Sequence, residues 1–389
     1  MAPGMRIGIV CYPTVGGSGV VATEVAHALA DSGHEVHLLS YDRPSRWRDA
    51  APRLHFHEVS VTAYPLFRYP PYDLALATRM LEVSEEAKID LFHVHYAIPH
   101  AVSAFLARSM LAEQGNGAGR PLRFVTTLHG TDITLVGSDR AYLRPTRFAI
   151  DQSDAVTAVS HFLAEETRRA FGIERPVEVV PNFVDTKTWH PEGAERYYDR
   201  RNHERVLIHV SNFRPVKRTA DVVRAFAAIQ REVPARLWMV GDGPDCEHAF
   251  AVAADLGVAT RVEHRGVVDD LERMLPKADL FLSASETESF GLSMLEAMSC
   301  GVPCVSTAVG GVEEVLGDTG VLTPFGDPNA MAVAALRLLT DPVAHARKSQ
   351  AARNRAIARF SADDIIDRYV KIYQRVLQQP GRTPRPASS

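Results

Sequence analysis

The stretch IGIVCYPTVGGSGVVATEVAHALADSGHEVHLL, from Ile7 to Leu39, decides the fold. An apolar run at Ile7–Val10 gives way to turn residues and the group Gly16-Gly17-Ser18-Gly19. A helical stripe over Val20–Ala30 follows, ends at Gly33, and leads into a second apolar run, Glu35–Leu39. Strand, glycine turn, amphipathic helix and strand make a βαβ unit, the connection of a parallel sheet. The rhythm continues with strands expected near Leu54–Val59, Leu91–Val94, Phe124–Thr127, Ala155–Val159 and Val177–Val180. Helices are expected over Asp73–Ala87 and Ala101–Leu111, with an exposed Gly-rich loop at Gly115–Gly119. A new series starts at Val206–Val210 and runs through Leu237–Val240, Val262–Gly266, Leu280–Ser283 and Cys304–Ser306. The expected class is α/β, with two doubly wound parallel sheets in tandem.

At 389 residues the chain exceeds one ordinary core, which agrees with two domains. Residues 1–183 form the first and 184–360 the second, and the aperiodic polar stretch from His190 to Asn202 reads as the linker between them. A further amphipathic stretch, Ala362–Leu377, is expected as a helix over 361–378 that packs back on the first domain. Residues 379–389, rich in Pro, Arg and Ser, read as a disordered tail. The formal net charge of -4 gives no electrostatic reason to expect nucleic acid or an anionic membrane as partner. No run reaches the ~18 apolar residues of a membrane span. The first residues lead into a strand without the charged, apolar and small-residue pattern of a secretory leader. Cys11, Cys246, Cys300 and Cys304 are too few and scattered for a disulfide framework and read as buried thiols, so a cytoplasmic protein is expected.

Open parallel sheets bind ligands beyond the carboxyl ends of their strands, where the strand order reverses, so functional residues are sought just after strands. Gly16-Gly17-Ser18-Gly19 follows the first strand and precedes a helix, a place where backbone N–H groups can approach an anion. Read structurally, it is a tight turn. It lacks the Gly-x-Gly-x-x-Gly spacing of a dinucleotide site, and the second strand closes with Leu39-Ser40-Tyr41 rather than an acid, which argues against NAD. In the second half, Ser211-Asn212-Phe213-Arg214-Pro215-Val216-Lys217-Arg218 places three cations after a strand and ahead of a helix. Cations there oppose the helix dipole unless an anion joins them, so a diphosphate fits better than a plain helix start. Glu288-Ser289-Phe290-Gly291-Leu292-Ser293-Met294-Leu295-Glu296 follows Leu280–Ser283. Gly291 would open a helix with unclaimed N–H groups, Glu288 precedes it, and Glu296 lies inside it, where an exposed helical residue is the competing reading. His129-Gly130-Thr131-Asp132 also closes a strand. His93 and His95 share one strand face, but no third ligand has a telling spacing, so packing or acceptor contact is preferred over a metal pair.

Taken together, these stretches resemble the retaining glycosyltransferases of the GT-B fold, family 4 type, over nearly the whole chain. The most specific element is Glu288 and Glu296, with seven residues between them, framing Phe290-Gly291-Leu292, joined to Gly241-Asp242-Gly243-Pro244 after a preceding strand. The resemblance implies two Rossmann-like domains facing across a cleft. It also implies that Glu288 contacts the donor sugar, Glu296 the ribose hydroxyls, and Lys217 and Arg214 the diphosphate. His129 would approach the donor sugar from the first domain, and Gly17, Asn212, Phe290, Gly291 and Leu292 would complete the donor side. The common family pattern has Arg five positions before the Lys, where this chain has Asn212.

Four stretches of the first half carry a narrower resemblance: Cys11-Tyr12-Pro13-Thr14-Val15-Gly16-Gly17-Ser18-Gly19-Val20-Val21-Ala22-Thr23-Glu24, Tyr69-Pro70-Pro71-Tyr72-Asp73-Leu74-Ala75, His93-Val94-His95-Tyr96-Ala97-Ile98-Pro99-His100, and His129-Gly130-Thr131-Asp132. They resemble the group within that family that transfers N-acetylglucosamine from UDP-GlcNAc to the hydroxyl of L-malate at the start of bacillithiol synthesis. A dicarboxylate acceptor needs hydrogen-bond donors, and the Ser18 and Gly19 N–H groups, Tyr96, Thr131 and Arg147 are the candidates, with Arg147 able to grip a carboxylate bidentately. Read structurally, Arg147 is an exposed helical arginine. Cations and helix dipole would replace a metal, so no metal and no cofactor beyond the donor substrate is expected, and a homodimer is left open. The alternatives are a same-fold transferase acting on inositol phosphate or another sugar, a UDP-sugar 2-epimerase, and a binding-only protein.

Overall fold

The computed structural model describes residues 4–14, 16–48, 51–61, 68–113, 121–135, 139–191 and 204–380. The Gly115–Gly119 loop, the linker stretch beyond Pro191 and the tail beyond Pro380 lie outside the described residues. The chain divides into two compact units, Met1–Pro181 with Asp363–Ser389, and Asn182–Ala362.

The first unit is built on β1 (Arg6–Val10), β2 (Glu35–Ser40), β3 (Leu54–Glu58), β4 (Leu91–His95), β5 (Phe124–Leu128), β6 (Ala155–Ala158) and β7 (Glu178–Val179). They form one sheet in the order β3-β2-β1-β4-β5-β6-β7, all pairs parallel. Helices α1 (Gly17–Asp31), α2 (Tyr72–Ala87), α3 (Val102–Glu113), α4 (Leu143–Gln152) and α5 (His161–Phe171) connect them. Every residue of β4 and β5 is buried, because helices cover both faces of a parallel sheet. Helix α1 begins at Gly17, three residues before the apolar stripe that announces it, so Ser18 and Gly19 lie on its first turn rather than in a preceding loop. Gly19 has a steric reason to be glycine: a Cβ there would stand 2.6 Å from the Tyr12 carbonyl oxygen.

The second unit holds β8 (Arg205–Val210), β9 (Ala235–Val240), β10 (Val262–Gly266), β11 (Leu280–Ser283), β12 (Cys304–Thr307) and β13 (Val321–Thr323), in the order β10-β9-β8-β11-β12-β13. Its helices are α6 (Thr219–Gln230), α7 (Cys246–Asp255), α8 (Leu271–Met274), α9 (Leu292–Ser299), α10 (Val312–Leu316), α11 (Pro328–Thr340) and α12 (Pro342–Phe360). Strand β13 has no counterpart in the sequence reading, because three residues are too few to show a period. The core packs Leu207, Phe213, Phe226, Leu237 and Leu282 between sheet and helices. Cys11, Cys300 and Cys304 are buried as expected, whereas Cys246 opens α7 and is half-buried. Among the described residues no helix is long and apolar enough to cross a membrane.

The last helix, α13 (Ala362–Gln378), belongs to the first unit. Ile365, Ile366, Tyr369, Ile372, Tyr373 and Val376 form its buried stripe, the spacing of a helix with one covered face. The Tyr373 hydroxyl donates to His93 Nδ1 at 2.7 Å, and His93 Nε2 donates to Thr127 Oγ1 at 2.6 Å. His93 therefore serves packing. Tyr373→Phe leaves a buried ring nitrogen without its donor, and the expected loss is about 1–3 kcal/mol of stability, read from urea unfolding. An unchanged midpoint and slope would show that this bond does not hold α13 in place.

Candidate active site

The order of the second sheet turns between β8 and β11, which lie side by side with Leu280 next to Leu207 and Phe281 next to Ile208. The loops that follow these two strands meet at their carboxyl ends. Lys217 Nζ donates to Glu288 Oε2 at 2.5 Å, and each side chain is about one-fifth exposed, 21% and 19%. Backbone bonds fix both loops: Glu286 N–H donates to the Val216 carbonyl, and Gly311 N–H to the Glu288 carbonyl, each at 2.8 Å. The second contact demands a glycine neighbour. Gly310 sits at φ +57, and a Cβ there would stand 2.1 Å from the Glu288 oxygen.

Lys217 ends a single turn of 3-10 helix, Pro215–Lys217, and its N–H donates to the Arg214 carbonyl at 2.7 Å. Phe213, fully buried, anchors this loop in the core, with half-buried Arg214 and exposed Asn212 on either side. After β11, Gly291 caps α9, so the N–H groups of Leu292 and Ser293 point out of the helix start. Glu296, on the same helix, is only 3% exposed. That removes the competing reading of Glu296 as an exposed helical residue: its side of α9 faces inward. Phe290 is buried edge-on against Phe360 with ring centroids 5.7 Å apart, so its side chain packs and its backbone borders the site.

In the first sheet the order turns between β1 and β4, and the same logic gathers a different chemistry. Ser18 Oγ donates to the Tyr96 hydroxyl at 2.7 Å. Tyr96 adopts φ 89, and its N–H donates to the Thr127 carbonyl at 2.9 Å. The Tyr12 ring lies 4.5 Å from His100 and 5.8 Å from Tyr96. His95 Nδ1 and His129 Nε2 share a hydrogen bond at 2.8 Å. Asp132, buried, accepts from the N–H groups of Ala97 (3.1 Å), His129 (3.2 Å) and Gly130 (3.0 Å), tying the turn after β4 to the turn after β5.

Burial sets the electrostatics. It pushes His93 and His129 down to about 3 and His100 to about 4, with the charge of His100 adding to the effect on His129. His95 falls well below its ordinary value for the same reason, with the neighbouring histidines contributing. These imidazoles are neutral at pH 7 and act as hydrogen-bonding groups, not as cations. Burial raises Asp132 to about 6 against the opposing pull of its backbone donors. Burial also pushes the Cys11 and Cys300 thiols up to about 12, which makes both unreactive.

Comparison with known proteins gives this geometry its context. Residues 204–341 match the family "Glycosyl transferases group 1", and residues 15–188 match "Glycosyltransferase Family 4". The N-acetyl-alpha-D-glucosaminyl L-malate synthase of Bacillus anthracis is 45% identical over 96% of this chain and 98% of its own length. The chain belongs to glycosyltransferase family 4. A D-inositol 3-phosphate glycosyltransferase of Thermobispora bispora is 28% identical over 95% of this chain and 92% of that protein. Among solved structures, Anabaena HepE in complex with UDP-glucose superposes with a TM-score of 0.77 at 20% identity, covering 95% of this chain and all (100%) of that one. The two parallel-sheet units are thus those of a GT-B transferase.

Within this transferase the structure brings Lys217 to Glu288, and Ser18 to Tyr96. Thr131 opens the turn braced by Asp132 and is half-buried. Arg147 stands apart from both groups. Its side chain is 56% exposed and pairs with Asp151 on its own helix at 3.9 Å, because α4 runs back from the carboxyl end of β5 and carries it away from the strand ends. Sequence reasoning quoted Asp132 without giving it a role. The available signal was an acid two residues after Gly130, placed to accept from the preceding turn. It also missed His209, buried in β8, whose Nε2 meets Ser211 Oγ at 2.8 Å at the root of the Lys217 loop.

The depressed imidazoles predict how the transferase responds to acid. A histidine near 6.5 when unfolded and near 3–4 when folded stabilises the fold fully above about pH 6.5, and that contribution falls as pH drops toward the folded value. Each such group is expected to cost up to about 1.4 kcal/mol per pH unit in that window, with Asp132, raised to about 6, offsetting one of them. Urea unfolding at pH 7 and pH 5 checks this, and equal stability at the two values would contradict it.

Proposed function

We propose that this transferase moves N-acetylglucosamine from UDP-GlcNAc to the hydroxyl of L-malate with retention of the α configuration. The observation that carries the reading is the 45% identity to the malate synthase of Bacillus anthracis, which runs through both units. In this reading a donor whose phosphate meets Lys217 brings its anomeric carbon beside Glu288, since those two side chains touch. The bond from the anomeric carbon to the diphosphate oxygen breaks, the bond to the malate oxygen forms on the same face, and the malate hydroxyl proton passes to the departing diphosphate. Lys217, Arg214 and the start of α9 at Gly291 and Leu292 stabilise the charge that develops there. Glu296 holds the ribose hydroxyls, with Asn212 and the Phe290 backbone completing the donor side.

On the acceptor side we assign Ser18, Tyr96, Thr131 and the N–H group of Gly19, and Gly17 stays with the donor. Arg147, exposed and paired with Asp151 on its own helix away from the strand ends, is left out of this assignment. His129, neutral, hydrogen-bonds a sugar hydroxyl. The reaction needs no metal in this reading, and the enzyme works in the cytoplasm.

Lys217→Ala is expected to lower turnover by about 10²–10³-fold, the usual cost of removing one stabiliser of developing charge. Glu296→Ala should instead weaken UDP binding by about 1.5–3 kcal/mol. Near-normal turnover in the first variant, or unchanged UDP affinity in the second, refutes the corresponding role.

The function itself is tested by mass spectrometry after incubating the enzyme with UDP-GlcNAc and L-malate, succinate or inositol 3-phosphate, each with and without EDTA. The expected result is an N-acetylglucosaminyl adduct of L-malate alone, formed equally in EDTA. An adduct of inositol phosphate, or an isomerised UDP-sugar with no adduct, would replace the reading by one of its rivals. Loss in EDTA with rescue by magnesium would overturn metal independence.

A further inference from the structure

Glu35 and His37 on β2, and His55 and His57 on β3, take no part in the chemistry above. The two strands run parallel with His37 beside His55, and the two-residue repeat of a strand puts all four side chains on one face. The other face carries Val36 and Leu38, both fully buried. One ligand atom each from Glu35, His37 and His55 lies within 4.8 Å of the other two. His55 Nε2 is hydrogen-bonded to the Glu35 carboxylate, and the rings of His37 and His55 stack at 4.7 Å. Behind them His37 Nδ1 meets His57 Nε2 at 2.9 Å, and Arg79 of α2 reaches His57 Nδ1 at 3.4 Å. A cavity of about 470 Å³ borders the group, with Arg6 and Arg53 also on its wall.

We propose that Glu35, His37 and His55 bind one zinc ion at the amino-terminal end of β2, at the opposite end of the strands from the Ser18 and Tyr96 loops. Two imidazole nitrogens and one carboxylate oxygen are a ligand set that suits zinc, with a fourth position for water or a small anion. For His37 Nε2 to bind the ion, His37 Nδ1–H donates to His57 Nε2, an outer partner that fixes ring and tautomer, and His57 then carries its proton on Nδ1 and gives up the 3.4 Å contact with Arg79. Hydrogen-bonded strands hold the three ligands with little freedom, so few degrees of freedom are lost on binding. Arg6 and Arg53 oppose a bare dication and favour a bound hydroxide or anion as the fourth ligand. Strand β3 is the sheet's edge, and the ion would cross-link it to β2.

The test uses the full-length protein, stripped of metal and titrated with zinc chloride against a competing chelating dye. It should take up one equivalent with micromolar or tighter affinity. His37→Ala and His55→Gln are expected to weaken binding at least tenfold, and His57→Gln by about 10–100-fold, the usual cost of losing an outer partner. His55 is 43% exposed, so His55→Gln keeps the fold, which circular dichroism verifies. Zinc should also raise the melting temperature of the parent protein and not that of His55→Gln. No uptake by the stripped parent overturns the proposal, as does uptake that survives both ligand changes. Loss of uptake in Cys246→Ser would place the ion at Asp242, Cys246 and His264 instead and also overturn it. Stabilisation by inorganic phosphate without zinc would assign the cavity to an anion through Arg6 and Arg53, with the same consequence.

Discussion

Two neighbouring parallel strands whose chain connections leave in opposite directions cannot both be capped at their carboxyl ends, and the second unit depends on how it fills the space between β8 and β11. It fills it with charge. Lys217 and Glu288 meet there, one from each loop, while the Val216 and Glu288 carbonyls are satisfied by Glu286 and Gly311 N–H groups. A partly buried ion pair adds little to stability once desolvation is counted. Its value lies in position: the cation and the carboxylate sit at a fixed separation, on backbone that cannot shift without breaking those bonds and that leaves no room for a side chain at position 310.

The same constraint in the first unit, between β1 and β4, is met with neutral groups. Ser18, Tyr96, His95 and His129 offer hydroxyls and imidazoles, and burial keeps the imidazoles uncharged. Asp132 holds this set together by accepting three backbone N–H bonds from two turns that are far apart in sequence. A carboxylate in that place exchanges the cost of burial for fixed geometry, since each N–H it satisfies belongs to a residue of the site. One topological plan thus gathers charged side chains in one unit and hydroxyls and neutral imidazoles in the other. Helix α13 adds a long-range dependence, because His93 on β4 is oriented by Tyr373 from the far end of the chain.

Much of this was legible in the sequence, for a definite reason. Strand and helix positions follow from periods of two and 3.6 residues, which the runs from Ile7–Val10 to Cys304–Ser306 display. Elements without a period escaped: β13 is too short, and the first turn of α1 is made of glycine and serine. The candidate residues Lys217, Glu288, Ser18 and Tyr96 were also readable, because each follows a strand and such positions converge in an open parallel sheet. Burial was not readable in the same way. An exposed helical position was the competing reading for Glu296, which proves to be inside, while Arg147, offered as an acceptor contact, lies exposed on α4.

The sequence by itself determined the class of fold, the number of sheets and the short list of residues near strand ends, since all three depend on local pattern and chain order. Only the tertiary structure decided which of those residues touch, because strand order and register are set by packing between segments far apart in the chain. The pairing of Lys217 with Glu288 spans 71 residues, that of Ser18 with Tyr96 spans 78, and that of His93 with Tyr373 spans 280. Local preferences weaken within a few residues, so contacts of that range exist only once the hydrophobic core has fixed the sheet.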